Sequence, residues 1–203
     1  MTIKVHPNAR ALIFDLDGTL SDSLPVHLET WNQIGKKFGF HFDPKILLEM
    51  TGRPTIEFAE RIVEQYGLAE KPENLVRMKQ ESFWKSSHLL KPIEEVVSIV
   101  KSSFGKMPMT LGTGASRTSA EVQLKALGLS EYFDGIVSAN EVTRHKPHPE
   151  TFLECAKLMG VEPKYCQVFE DGILGIEAGQ KAGMIVTDVR PFIKYGEWAI
   201  VKS

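Results

Sequence analysis

Two cysteines, no excess of positive charge and no apolar run near the roughly 18 to 20 residues that span a bilayer set the first limits on this 203-residue chain. Cys155 lies in an amphipathic helical pattern and Cys166 at the start of an apolar strand, so both read as free buried thiols and not as a disulfide framework. A net charge of −2 and a pI near 6.3 leave no electrostatic footprint for nucleic acid or an acidic membrane surface, and neither is an expected partner. The opening Met1-Thr2-Ile3-Lys4-Val5-His6 lacks a signal-peptide core, which makes the cytoplasm the expected compartment. No heptad run or exposed apolar stripe calls for a second copy, so a monomer is expected.

What is present begins with a strand and a charged turn. Ala11-Leu12-Ile13-Phe14 reads as a buried parallel strand, and Asp15-Leu16-Asp17-Gly18-Thr19-Leu20 as the turn that ends it. In open α/β sheets, ligands collect beyond the carboxyl ends of the strands. Two carboxylates this close repel, and a hard divalent cation, most simply Mg2+, resolves the conflict. An Asp-Gly turn capping the next helix fits the same residues without any chemistry.

Ser21-Asp22-Ser23-Leu24-Pro25 offers helix caps, and Leu24, Leu28, Trp31, Ile34, Gly35 and Phe38 recur at helical spacing up to a stop at Gly39. Further helical patterns cover Pro44–Met50, Thr55–Tyr66 and Pro72–His88, with no strand pattern between them. Residues 22–90 are therefore expected to form an all-helical cap domain inserted into a core of residues 1–21 and 91–203. Its hinges would fall near Ser21–Leu24 and Leu89–Pro92. Such a lid excludes water during chemistry and opens for exchange, whereas packing of these helices on the sheet is the plainer alternative.

From Ile93 the chain alternates regularly. Helices over Ile93–Ser103, Ser119–Leu127, Pro149–Met159 and Ile173–Ala182 precede strands over Met107–Gly112, Gly135–Ser138, Cys166–Phe169 and Met184–Thr187. Single helices between strands imply an α/β fold with a doubly wound, Rossmann-like parallel sheet. Trp198-Ala199-Ile200-Val201 reads as a further edge strand.

The strand ends carry the chemistry. Thr113-Gly114-Ala115-Ser116 follows the second strand with a hydroxyl and small residues, a plausible phosphate cradle at a helix start, and also an ordinary strand-to-helix turn. Pro147 restricts the backbone of Lys146 and would aim its ammonium, although an exposed loop lysine fits as well. His145 and His148 have no third partner at ligand spacing, so no zinc site is expected. Glu170-Asp171-Gly172 gives a second acidic pair, with Asp171 also suited to cap a helix. Asp15, Asp17, Glu170 and Asp171 converging with Lys146 and a ring of small residues on one sheet edge look like a magnesium-assisted phosphoryl-transfer site.

With these motifs in this order, the chain resembles the haloacid dehalogenase superfamily of phosphohydrolases. Asp15-Leu16-Asp17-Gly18-Thr19 resembles the first family motif, Thr113 the second, Lys146 the third and Glu170-Asp171 the fourth, over about Ala9 to Asp188. The resemblance implies that Asp15 is a nucleophile forming an aspartyl-phosphate and that Asp17 is the general acid and base. It further implies that Thr113, Gly114 and Ala115 hold the phosphoryl group and that Lys146 neutralises charge. Mg2+ would be bound by Asp15, the main-chain carbonyl of Asp17, Asp171 and Glu170. The second aspartate of the first motif argues for phosphate esters over halides.

The helical insertion is similar to that of the β-phosphoglucomutase-like subgroup, with Ser23, His27 and Lys79 at matching positions. His27 also fits a packed core histidine, and Lys79 a solvated face. The mutases carry a Lys-Gly-x-x-Arg pattern for a second phosphate, whereas this chain reads Thr51-Gly52-Arg53-Pro54-Thr55. Arg53 is a candidate to substitute from a different place, but water becomes the expected phosphoryl acceptor. The overall pattern is similar to the bacterial fructose-1-phosphatase-like members. The expected activity is thus hydrolysis of small sugar phosphates, with a β-phosphoglucomutase and a non-catalytic phosphometabolite-binding protein as alternatives.

Overall fold

The computed structural model describes residues 2–50 and 53–193. Strand β1 (Ala11–Phe14) is followed by the two-residue β2 (Ser21–Asp22) and by four helices, α1 (Leu24–Phe38), α2 (Pro44–Glu49), α3 (Thr55–Tyr66) and α4 (Pro72–Lys85). The chain returns through β3 (Lys91–Pro92) and α5 (Glu94–Ser103), then alternates β4 (Met109–Gly112), α6 (Arg117–Ala126), β5 (Gly135–Val137), α7 (Glu150–Met159), β6 (Cys166–Glu170), α8 (Ile173–Lys181) and β7 (Ile185–Asp188).

The five-stranded sheet has the order β5-β4-β1-β6-β7, all parallel, as single-helix crossovers require. Period-2 alternation sends Leu12 and Phe14 of β1 into one hydrophobic cluster and Ala11 and Ile13 into another on the opposite face. Phe14 stacks on Phe169 of β6 at 4.8 Å, and both rings are fully buried. Burial of one such side chain contributes about 1.5–3 kcal/mol. Cys155 and Cys166 are buried and free.

The inserted helices have a cluster of their own, in which Trp31 lies over Phe42 and Phe58 at 5.8 and 6.3 Å. A smaller cluster of Val26, Phe83 and Leu90 carries Trp84 and Leu127 against it, and joins the insertion to the region of α6. The two segments expected as hinges lie side by side, because Ser21 pairs with Pro92 and Asp22 with Lys91 in an antiparallel ladder. That ladder carries no periodic signal and was not expected from the sequence.

Element ends differ from expectation by a few residues. The fourth inserted helix stops at Lys85, and Ser87–Leu89 form a separate 3-10 turn. The strand expected from Met107 begins at Met109, and the helix expected from Ser119 begins at Arg117, behind the cap Ser116, whose hydroxyl accepts from the Ser119 amide. The expected strand Trp198–Val201, and Thr51-Gly52 of the stretch compared with the mutases, lie outside the described residues. Among the described residues, no helix is long and apolar enough to cross a membrane.

Candidate active site

The chain winds outward from β1 through β4 to β5, then crosses back to β6 on the other side of β1 and on to β7. That reversal is the switch point at which strand ends of a doubly wound sheet splay to leave a crevice. Asp15 follows β1, Thr113 follows β4, and Glu170 closes β6. The loop between β5 and α7 supplies Lys146, whose Nζ donates to Asp15 Oδ1 at 2.7 Å, Glu170 Oε1 at 2.9 Å and the Gly112 carbonyl at 3.1 Å.

Lys146 is 2% exposed, so the loop-lysine alternative does not apply. Burial works to lower its pKa, but the ion pairs with Asp15 and Glu170 outweigh that and keep the ammonium charged. Asp171 completes the group, its Oδ1 accepting from Thr19 Oγ1 at 3.0 Å. Gly18 passes directly over the Asp171 carboxylate with φ near +86°, and a Cβ there would strike the carboxylate oxygens.

Asp15, Glu170 and Asp171 each offer a carboxylate oxygen, and these atoms lie within 4.8 Å of one another, all buried. One ammonium leaves two of the three negative charges uncompensated. Burial and the charges of Glu170 and Asp171 accordingly push the Asp15 carboxyl well up, against the pull of Lys146. A hard, all-oxygen donor set with a twofold charge deficit fits a divalent metal ion.

The Asp17 carboxylate is not in that group. It turns toward the insertion, where its Oδ1 accepts from Ser23 Oγ and Gln123 Nε2 and lies 3.0 Å from His27 Nε2. Burial alone would raise its pKa, but the His27 ring and the hydrogen bonds from His27, Ser23 and Gln123 hold it below the usual carboxylate range. Ser23 stands at the cap position of α1 without capping it, because its hydroxyl serves Asp17 instead. Burial and the nearby Lys79 lower the His27 pKa against the opposing pull of Asp17, and the ring stacks on Phe83 at 4.4 Å.

A cleft opens above these residues and is bounded on its far side by the insertion. Asp15, Asp17, His27, Arg53, Lys79, Thr113, Gly114, Ala115 and Glu170 all line it. Lys79 is 7% exposed, with Nζ 4.9 Å from the Phe83 ring centre, and burial lowers its pKa to about 8 against a weaker pull from Asp17. Its expected alternative, a solvated helix face, does not apply. Arg53 donates to Glu57 at 2.7 Å and is exposed. The Ala115 amide donates to Thr113 Oγ1 at 3.0 Å, which fixes that hydroxyl as an acceptor and leaves its proton to point elsewhere. Trp31, Phe58 and Leu47 form the apolar side.

Gln123 and Ser119 also line the cleft and were not expected. The signal for Gln123 is a polar residue within the buried stripe of α6, beside Ala120 and Leu124. Trp84 Nε1 donates to Ser119 Oγ at 3.4 Å, a contact between the insertion and the core.

Known proteins share this arrangement. A sequence model of the haloacid dehalogenase-like hydrolases matches residues 12–189. The fructose-1-phosphate phosphatase YqaB of Escherichia coli is 42% identical over 181 residues, covering 88% of this chain and 95% of the relative. A phosphorylated carbohydrates phosphatase of Thermotoga maritima is 29% identical, covering 95% and 94%. The crystal structure of β-phosphoglucomutase from Clostridium difficile superposes with a TM-score of 0.76 at 30% identity, covering 89% of this chain and 84% of that one. The match runs from β1 through β7 and takes in every strand end that lines the cleft, so the chain belongs to the haloacid dehalogenase-like hydrolase family.

Proposed function

We propose that this protein is a magnesium-dependent phosphatase of small sugar phosphates, fructose 1-phosphate among them, that works through an aspartyl-phosphate on Asp15. Residues 22–90 act as its cap and residues 1–21 and 91–203 as its core. The observation that carries the reading is the buried Lys146 bonded at once to Asp15 and Glu170 on the floor of the cleft. The kinship with the two phosphatases supports the substrate class.

Mg2+ would be held by Asp15, Asp171 and Glu170, with the main-chain carbonyl of Asp17, and when bound it supplies positive charge beside the phosphoryl oxygens. Lys146 fixes one oxygen of Asp15 and leaves the other to attack phosphorus. Thr113 and the Gly114 main chain hold phosphoryl oxygens from the core, while Lys79 meets them from the cap. An arriving phosphate anion raises the proton affinity of Asp17, which then protonates the departing sugar oxygen. Asp17, ionised again, takes a proton from the water that cleaves the acyl phosphate, and inorganic phosphate leaves.

A mutase must retain a second phosphate on its cap. Here the Arg53 guanidinium is engaged by Glu57, which supports water as the acceptor. The test is phosphate release with Mg2+ across a panel of hexose phosphates, including fructose 1-phosphate and β-glucose 1-phosphate. Release by the wild type and none by Asp15→Asn is the expected result. Undiminished release by the variant refutes the aspartyl-phosphate route, and faster formation of glucose 6-phosphate than of inorganic phosphate identifies a mutase.

A further inference from the structure

Gln123 is fully buried in α6, between residues that pack against the sheet. Its Nε2 donates to Asp17 Oδ1 at 3.0 Å. Its Oε1 is also buried and, among the described residues, has no hydrogen-bond partner. A methionine would fill nearly the same volume without stranding an oxygen, so packing does not account for the amide. The bond to Asp17 does.

The three groups around Asp17 Oδ1 come from different parts of the molecule. Ser23 and His27 stand at the start of α1, within the insertion, whereas Gln123 stands on a helix of the core. An amide is also a donor that stays neutral, so it orients the carboxylate without adding a charge to a pocket already crowded with them.

We propose that Gln123 is a positioning residue for the reaction, holding the Asp17 carboxylate from the core side against the oxygen of the departing alcohol. The inference rests on the reading of Asp17 as proton donor to that alcohol. A residue acting in this way matters only when the leaving oxygen needs the proton. A sugar alkoxide is a poor leaving group and needs it, whereas p-nitrophenolate departs without it.

The experiment compares kcat/KM for fructose 1-phosphate and for p-nitrophenyl phosphate, since this ratio includes only steps up to departure of the alcohol. Gln123→Met should lower the sugar-phosphate value by about 10-fold or more and the nitrophenyl value by less than about 3-fold. Affinity for inorganic phosphate should stay within about 2-fold, and any fall in Tm should be modest, because losing the bond to Asp17 is offset in part by removal of the stranded oxygen. Gln123→Leu, which also lacks the donor but differs in shape from methionine, should show the same selective loss, which covers the case in which methionine disturbs packing. Equal losses on both substrates, or no loss on either, overturn the proposal. Asp17→Asn separates the two levels: if it shows the leaving-group split and the Gln123 variants do not, only the positioning role fails. If Asp17→Asn shows no split, the assignment of Asp17 fails, and the role of Gln123 with it.

Discussion

Lys79→Met should make the protein more stable and a worse phosphate binder. The ammonium of Lys79 is buried, and among the described residues no carboxylate lies within ion-pair distance of it, so its pKa falls from 10.5 to about 8. At neutral pH, holding the charged form in the folded state then costs about 3 kcal/mol. Methionine keeps the length of the side chain and removes the charge. It forfeits the cation–π contact with Phe83, worth about 0.5–2 kcal/mol, and a sulfur–aromatic contact returns part of that. A net gain of about 1–3 kcal/mol remains, or a rise in Tm of roughly 3–10 °C for a chain of this length.

The pH dependence follows from the same numbers. With the folded pKa below the unfolded one, the unfolded wild type holds the extra proton between about pH 8 and 10.5, so its stability rises with pH through that window. The advantage of the variant is full below pH 8 and gone above 10.5. Thermal unfolding followed by circular dichroism at several pH values measures this, and calorimetry should show inorganic phosphate binding about 10-fold weaker or more. A variant less stable than wild type at pH 7, or an advantage unchanged up to pH 10.5, would sink the reasoning.

Magnesium should raise Tm by an amount that grows with concentration, reaching about 2.7 kcal/mol of added stability at a hundredfold excess over Kd, and Asp171→Asn should reduce the rise; a Tm indifferent to both Mg2+ and chelator contradicts the charge deficit at Asp15, Glu170 and Asp171. Gly175→Ala places a methyl group within the Glu170 carboxylate, which Lys146 and the Gly172 amide hold in place, so the alanine variant should lose about 1–3 kcal/mol and bind Mg2+ more weakly. Equal metal affinity in both proteins would show that Glu170 swings aside. Phe14→Ala removes one ring of the stacked pair at the centre of the sheet and should cost about 3–5 kcal/mol in denaturant unfolding, and a loss under 1 kcal/mol would mean that the surrounding cluster collapses around the gap.

The sheet was legible because buried parallel strands are written as short apolar runs, and a strand that ends at a polar site changes composition abruptly. Phe14 to Asp15 and Phe169 to Glu170 are such edges. The helical periodicity of α1 and α3 was equally plain, since both turn one apolar face to a shared cluster. Contacts made across the fold were not legible. Gln123 meets Asp17 across 106 positions, and its place in the buried stripe of α6 marks it as unusual without saying which group it meets. Ser23 has the composition of a helix cap, and only the placement of Asp17 shows where its hydroxyl goes. The ladder of β2 and β3 has two residues per strand, too few for any alternation to register. Arg53 lines the cleft as expected, but its guanidinium is committed to Glu57, four residues on, a competition that spacing permits and does not decide.

That short ladder has an architectural consequence. Asp22 and Lys91 are cross-strand partners, so the chain departs from the core and returns to it at adjacent points. A two-residue turn is enough to join such neighbours, and replacing residues 23–90 by an Asn-Gly turn would close a hairpin without disturbing the order of the sheet. Everything between these two positions is thus a removable cassette in the topological sense. Helical blocks from other proteins could be spliced in at the same two residues, and each would have to bring its own partners for the Asp17 carboxylate, because Ser23 and His27 leave with the insertion.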